Sequence, residues 1–433
     1  MTSTSTPPET PGYGWWQREK QRRQIRLLIV LLLALILIGY FYFISRAGRT
    51  GLVDGVTFDT ANRVAFIQQD KSGNTNLCSV KADGTDLRML TQGSDKSQKD
   101  SPTWTMGGHH VIYASNLHDA NRTQLYILGA GQPVQLTYGM FRKDDPVCSP
   151  DGRHVAFITQ GFIKTVLTNG NNVVQLLPAP IASNQPDSNG MQSLNPVGPY
   201  IKAEWAADGT GIAGVQQLST QGNTDIPGLT GDTEMARALP ASADHGYVLD
   251  FGRFADISWQ PHGTELMVSF AERMVKNPVT GKEVYTGGIS LWDFSHKGRP
   301  KETPLYISVG DTLMPRRIAW SPDGKQIAME GYILEKNGDR KPMGIYLLPI
   351  PTHPLGFNGQ QVPPGSIPVS QQGAPTHPVW SPNGDRILFE VRRADDKHDL
   401  WVVNSDLTNP INLTHGAAGG TDNTQGVWSP ATK

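Results

Sequence analysis

The chain has 433 residues, among them 46 Gly, 32 Pro and 2 Cys, and a formal net charge of −1 at pH 7. Residues 1–50 hold seven of the 38 basic and two of the 39 acidic residues, which leaves 31 and 37 in the rest of the chain, a net charge of −6. A mildly acidic body argues against a nucleic-acid partner, because phosphate binding needs a basic surface. The high glycine and proline content indicates a fold with many tight turns.

The first predicted element is a membrane anchor. Leu27 to Ile44 is eighteen residues long and carries no charge, and a helix of this length spans about 27 Å, close to the hydrocarbon thickness of a bilayer. More basic residues precede the segment than follow it, so the N-terminus is predicted to be cytoplasmic. We therefore expect a disordered cytoplasmic tail at 1–24, a transmembrane helix at 25–45 and a linker at 46–54. A cleaved signal peptide is the alternative, although its apolar region would be unusually long.

One phrase recurs along the rest of the chain: an apolar residue, a tryptophan, Ser-Pro-Asp-Gly and a short apolar run. The clearest copies are 147–152, 319–324 and 379–384, and the spacing between copies ranges from 44 to 61 residues. Spacings at the lower end match the blade of a propeller, about 40–50 residues, and the longer ones carry insertions. The first copy, at Phe58, is the most degraded. The tryptophan-type position is occupied in later copies by Trp104, Cys148, Trp205, Trp259, Trp320, Trp380 and Trp428.

Each repeat reads as four short strands. Pro-Asp-Gly is turn chemistry between two β-rich runs, which predicts an antiparallel hairpin. A third strand follows, for example at 399–404, and a fourth ends in Leu-Thr-x-Gly, for example at 413–416. We therefore predict an all-β chain in which residues 55–433 form a β-propeller of four-stranded antiparallel blades. Seven blades fit the pattern, and six or eight are the alternatives.

The tryptophan-type residues are interpreted as structural. They recur in every unit, whereas a catalytic group is usually needed once, and a large aromatic side chain can fill the wedge between neighbouring blades. Cys148 takes this place in one unit as a small buried residue. It and Cys78 fall in non-adjacent repeats, so we expect two separate buried thiols rather than one disulfide bridge.

The repeat resembles that of TolB-type propellers, most closely over Thr137–Thr159 and Pro375–Val391, and in pattern over roughly residues 52–430. The resemblance implies a propeller with a general binding role. The chain departs from TolB in having a membrane anchor in place of an α/β domain, and about seven repeats rather than six. The repeat also resembles the propellers fused to prolyl-oligopeptidase hydrolases. The chain has no G-x-S-x-G motif and ends at Lys433, so we expect no peptidase activity.

Four residues in the loops that lead into the innermost strands are the candidate binding site: Asp100, Asp145, Arg316 and His377. If the geometry is that of a propeller, they ring one mouth of the channel, where a mixed set of charges suits a peptide or a protein loop. The alternative is that they are solvated turn residues. The motifs CxxC, HExxH and DxDxDG are absent from the sequence, and we predict no metal and no cofactor.

These observations predict a non-catalytic, single-pass membrane protein with an extracytoplasmic propeller. Its predicted partner is a protein or peptide of the cell envelope. One alternative is a metal-dependent hydrolase of the lactonase type that uses the channel mouth. Another is a ligand sensor that signals through the membrane span.

Overall fold

The computed structural model describes most of the chain beyond residue 61. The described residues are Lys20 and 62–91, 96–129, 131–177, 199–218, 233–239, 247–276, 281–296, 300–309, 312–350, 366–367 and 373–431. Met1–Gly55 forms a unit separate from Val56–Lys433. The predicted tail, membrane helix and linker therefore lie outside the described residues, apart from Lys20. Within the described residues no helix is long and apolar enough to cross a membrane.

The described residues form 28 strands in seven four-stranded antiparallel sheets. Each sheet is one blade, so the predicted seven-bladed propeller is confirmed. The helix that the described part of the body contains is short, α1 (Gly416–Gly419). The strands are β1 (Arg63–Gln69), β2 (Thr75–Lys81), β3 (Arg88–Met89), β4 (Lys99–Trp104), β5 (Val111–Ser115), β6 (Gln124–Leu128), β7 (Val134–Gln135), β8 (Asp144–Cys148), β9 (His154–Thr159), β10 (Phe162–Leu167), β11 (Val174–Leu177), β12 (Tyr200–Trp205), β13 (Ile212–Leu218), β14 (Thr233–Leu239), β15 (Tyr247–Gly252), β16 (Phe254–Trp259), β17 (Glu265–Lys276), β18 (Glu283–Asp293), β19 (Lys301–Val309), β20 (Leu313–Trp320), β21 (Gln326–Leu334), β22 (Arg340–Pro349), β23 (Ser366–Ile367), β24 (Pro375–Trp380), β25 (Arg386–Arg392), β26 (His398–Asn404), β27 (Ile411–Asn412) and β28 (Asp422–Trp428).

The last strand of the chain closes the ring. Blades 2 to 7 are the successive groups of four strands from β4–β7 to β24–β27, and the first of each group is the innermost. In blade 1 the innermost strand is β28, which pairs with β1 from Val64↔Trp428 to Gln69↔Asp422. Trp428 is therefore the tryptophan-type residue of the first blade, a place that the sequence pattern gave to Phe58, which lies outside the described residues. Closure leaves no gap between the first and last blades.

The Ser-Pro-Asp-Gly segments form the hairpins between the first and second strands. In blade 6 the hydroxyl of Ser321 donates to the carboxylate of Asp323 (2.6 Å) and accepts the backbone N–H of Gln326 (3.0 Å). Gly324 has a φ of +70°, which glycine adopts without steric cost. The residue types of the motif are thus explained by the turn itself.

The tryptophans join each blade to the blade before it. In six blades the indole Nε1 donates to the backbone carbonyl of the residue that precedes the tryptophan-type residue of the previous blade. Cys148 has no such donor, so the junction of blades 2 and 3 lacks this hydrogen bond. The six contacts, each of 3.0–3.2 Å, are Trp104 to Val427, Trp205 to Val147, Trp259 to Glu204, Trp320 to Ser258, Trp380 to Ala319 and Trp428 to Val379.

Both cysteines are free thiols, and burial raises the pKa of each to about 12.

Candidate functional site at one mouth of the channel

Four of the innermost strands share a backbone irregularity three residues before the tryptophan-type position. In four blades the residue there has a positive φ: Ser101 (+48°), Asp145 (+51°), His377 (+54°) and Gln425 (+59°). The pairing with the second strand shifts register at the same point. A β-bulge of this kind re-aims a side chain. We call this place the bulge position, and its seven occupants are Ser101, Asp145, Lys202, Asp256, Arg317, His377 and Gln425.

Five of the seven bulge positions line a cavity of about 480 Å³. Its walls come from blades 1, 2, 3, 6 and 7, so the cavity lies within the ring, at the end of the channel where the innermost strands begin. The Ser-Pro-Asp-Gly hairpins lie at the opposite end of the same strands. The polar side chains that line the cavity are Ser101, Asp145, Arg317, His377, Glu390, Thr424 and Gln425.

The four residues predicted from sequence lie near this mouth in different roles. Asp145 and His377 line the cavity together. Asp100 is exposed beside it, and its carboxylate accepts a hydrogen bond from the side-chain amide of Gln425. Arg316 does not line the cavity: its Nη1 lies 3.6 Å from the carboxylate of Glu330 and its guanidinium stands over the ring of Phe254.

Arg317, the next residue, lines the cavity where Arg316 was predicted to do so. Its Nε lies 3.8 Å from Oε2 of Glu330, beyond hydrogen-bonding distance. The side chain of Arg317 is 41% exposed, so part of it remains accessible to a ligand. The loop sequence does not show which of the two arginines enters the channel, because a bulge exchanges the directions of neighbouring side chains.

Acidic side chains hold the bulges in place. The carboxylate of Glu330 accepts the backbone N–H of His377 (3.0 Å), and that of Glu390 accepts the N–H of Gln425 (2.7 Å). In each case the acid belongs to the blade before the one that it supports. These hydrogen bonds satisfy backbone donors that the bulges remove from the sheet ladder. The acids therefore fix the shape of the mouth.

A buried ion pair fills the wall between blades 4 and 5. Nζ of Lys202 lies 2.6 Å from Oδ1 of Asp256 and donates to the carbonyl of Ile257 (2.8 Å). The other oxygen of Asp256 accepts the backbone N–H of Ile318 (2.9 Å). Burial lowers the pKa of Lys202, but the charges of Asp256 and Glu204 outweigh it, so the pKa is raised. Lys202 therefore carries a positive charge, which the carboxylates of Asp256 and Glu204 balance within the protein.

Three residues that line the cavity have shifted pKa values, and for Glu390 burial raises the pKa. Burial raises the pKa of Asp145 to about 6, against the opposing charge of Lys202. Burial and the charges of Arg317 and Arg316 lower the pKa of His377 to about 3. The imidazole is therefore neutral at pH 7, with Nδ1 3.4 Å from the carboxylate of Glu390.

Several residues of the mouth were missed by the sequence analysis. Lys202, Asp256, Arg317 and Gln425 would have been found by counting back three residues from each tryptophan-type position. Glu330 and Glu390 lie on second strands, and an acid within an apolar run was the available signal. Among the described residues no group of three or more His, Cys, Asp or Glu is arranged to hold a metal ion. What the mouth offers is hydrogen bonding and charge.

No family model and no curated protein matches the chain. Solved structures with a similar course include TolB from Acinetobacter baumannii (15% identity, TM-score 0.45), which matches over 90% of this chain and 71% of that one. A putative TolB from Agrobacterium tumefaciens matches over 86% and 92% (14% identity, TM-score 0.40).

A puromycin-hydrolyzing peptidase from Mycobacterium tuberculosis is also similar, at 15% identity and a TM-score of 0.47. This chain covers 54% of the peptidase, and the match spans 82% of this chain. The propeller fold is established by the seven sheets rather than by these similarities. The resemblance to the TolB-type repeat implied a propeller, and a propeller is present.

Proposed function

We propose that the protein is a non-catalytic binding module, anchored in the cytoplasmic membrane by Leu27–Ile44, whose propeller binds a peptide or a loop of another envelope protein. The observation that carries the proposal is that polar bulge residues from five blades face one cavity at one end of the channel. Binding sites are typically concave, with a few well-placed polar groups.

The rigidity of the mouth supports the same function. Its bulges are fixed by hydrogen bonds between blades, such as Glu390 to Gln425 and Glu330 to His377. A site that is already in its binding conformation loses less conformational entropy when a ligand binds. Arg317 and Asp145 both line the cavity, and such mixed charges suit a peptide, which offers both donors and acceptors.

Photo-crosslinking of the full-length protein in its native membrane tests the proposal. A photoreactive amino acid in place of Asp100, which is exposed at the mouth, should yield a covalent adduct with one partner protein. The matched control replaces Asn383, which is exposed in the hairpin at the opposite end of the channel. Equal adducts from both positions, or none from position 100, would contradict the proposal.

A second measurement addresses catalysis. Elemental analysis of the purified protein should find no stoichiometric metal, and a hydrolase substrate panel should show no turnover that a chelator abolishes. Bound metal together with chelator-sensitive turnover would instead identify a hydrolase.

A further inference from the structure

A second cavity, again of about 480 Å³, lies between blades 3 and 4. We call it the blade 3–4 groove. Its apolar wall is formed by Phe141, Ile158, Pro199 and Ile201. Phe141 is 52% exposed and Ile201 40% exposed, so two large apolar side chains at the groove remain open to solvent.

The loop before β8 extends this apolar surface. Tyr138 is 71% exposed and Met140 72% exposed, close in sequence to Phe141. Single exposed apolar residues are ordinary on protein surfaces, whereas a contiguous group marks an interaction site. Phe141 belongs to both the loop and the groove, so exposed apolar side chains of the loop adjoin the groove along the chain.

The backbone of this loop is held in place. The side-chain amide of Gln124 donates to the carbonyls of Gly139 and Phe141, both at 3.1 Å. The ammonium of Lys143 also donates to the carbonyl of Phe141, and the hydroxyl of Thr159 donates to that of Arg142 (2.6 Å). The exposure of the apolar side chains is therefore built into the fold.

Asp145 lines both the blade 3–4 groove and the channel cavity. The ammonium of Lys202, whose charge acts on Asp145, is already bound to Asp256 at 2.6 Å. A carboxyl group that lines two cavities, and whose neighbouring ammonium is bound to another acid, offers a place for a basic group of a ligand.

Resting on the proposed function, we infer that the ligand is a peptide segment of another protein that carries an apolar side chain next to a lysine or arginine. The apolar side chain occupies the blade 3–4 groove against Phe141 and Ile201. The basic side chain reaches over the groove wall and pairs with Asp145. Complementarity of charge and of apolar surface at adjoining cavities identifies this class of ligand.

Selection from a random heptapeptide library on the full-length protein in lipid nanodiscs tests the inference. Enriched peptides should combine an apolar residue with a neighbouring lysine or arginine. Asp145→Asn should weaken a selected peptide at least about tenfold and remove its preference for lysine over glutamate. Asp151→Asn is the matched control, because Asp151 is exposed in the hairpin at the other end of the same blade, and it should leave binding unchanged.

Phe141→Ser changes an exposed apolar side chain of the groove and leaves both the buried core and the charge of Asp145 in place. It should weaken the same peptides while the preference for lysine over glutamate persists. Enriched peptides that are acidic, or whose binding both variants leave unchanged, would overturn the inference. A photoreactive amino acid at position 201 gives a further test. A crosslink from it to residues 178–198 of the same chain, or to a second copy of the chain, would also overturn the inference, because the groove would then have another occupant.

The two proposals fail in different ways. If position 100 crosslinks to a partner while the selected peptides lack the apolar–basic pair or none are enriched, the binding function stands and the ligand class is wrong. If position 100 yields no specific adduct, the binding function itself fails and the ligand class falls with it.

Discussion

The indole Nε1 of Trp320 donates a 3.0 Å hydrogen bond to the carbonyl oxygen of Ser258. Ser258 directly precedes Trp259, the tryptophan-type residue of blade 5, so the bond links equivalent places in successive blades. Trp320 is buried, and its side chain packs in a core cluster with Met267 and Ile289 of blade 5. One residue type thus supplies both the apolar contact and the polar contact at a junction.

Replacing Trp320 by phenylalanine should keep much of the apolar contact and leave the carbonyl of Ser258 without its donor. We expect the free energy of unfolding to fall by about 1–3 kcal/mol, the usual cost of a buried group left unsatisfied. Denaturant-induced unfolding of the full-length protein measures the change. The control is Trp292→Phe, because Trp292 is also buried and its Nε1 has no hydrogen-bond acceptor among the described residues. Equal losses in the two variants would contradict a role for the hydrogen bond.

The buried carboxylate of Asp399 ties blade 7 to the closing strand. Oδ1 accepts hydrogen bonds from Nη1 of Arg393 (2.7 Å) and from the backbone N–H of Gly416 (2.8 Å). Asp399→Ala leaves the largely buried guanidinium of Arg393 without this partner. We expect a loss of about 3–5 kcal/mol in the free energy of unfolding, since breaking a buried ion pair strands a charge. Asp395→Ala removes the exposed partner of the same arginine and should cost about 0–1 kcal/mol.

The fold could be predicted because its signal is local and repeated. Ser321, Asp323 and Gly324 build their hairpin from contacts within six residues, so the motif reports the hairpin wherever it occurs. Closure could not be assigned in this way. The repeat pattern places Phe58 in the first copy and Trp428 in the last, and only the pairing of the last strand with β1, more than 350 residues away, shows that Trp428 completes blade 1.

The site could be predicted only in outline. Loop positions led to Asp145 and His377 but to Arg316 instead of Arg317, because a bulge in the backbone decides which of two neighbouring side chains enters the channel. The support from Glu330 was not visible either, since its partner is the backbone N–H of His377 in the next blade. Contacts of that kind form between neighbouring blades, so the sequence of a single repeat does not show them.

Blades 5 and 6 carry long hairpins that meet at Glu272. Its carboxylate accepts hydrogen bonds from Nε (2.6 Å) and Nη2 (2.8 Å) of Arg340 and from the hydroxyl of Tyr332 (2.8 Å). Arg340→Lys keeps the charge but cannot form both bonds at once. We expect a loss of about 1–2 kcal/mol in the free energy of unfolding. Arg392→Lys, at an exposed pair with Asp396, should change it by less than about 0.5 kcal/mol.

His377 should make the protein sensitive to acid. Its pKa is lowered to about 3 in the folded protein, by burial and by Arg317 and Arg316, against about 6.5 in the unfolded chain. The unfolded state therefore gains a proton that the folded state does not, and stability falls as the pH drops below 6.5. His377→Asn should reduce this loss when the free energy of unfolding is measured against pH. His109→Asn, at an exposed histidine, is the control, and an unchanged slope for His377→Asn would refute the prediction.

Asp145 should affect the pH dependence of stability in the opposite direction to His377. Its pKa is raised to about 6 from an ordinary value of 3.8, chiefly by burial, with Lys202 opposing the shift and Asp100 and Asp144 adding to it. Between these two values the unfolded chain has lost the proton that the folded protein retains, so stability falls as the pH rises through this window. Because one pKa unit corresponds to about 1.4 kcal/mol, the loss is at most about 3 kcal/mol and is complete above pH 6.

Asp145→Asn removes that loss, because asparagine does not ionise. The variant should therefore gain stability relative to the natural protein as the pH is raised from about 4 to 7, as measured by chemical unfolding at each pH. Asp144→Asn, one residue earlier on the same strand, is the matched control. A difference between Asp145→Asn and the natural protein that stays constant across this range would show that folding does not raise the pKa of Asp145, and the prediction would be wrong. Burial of the carboxyl at the cavity wall argues against that outcome.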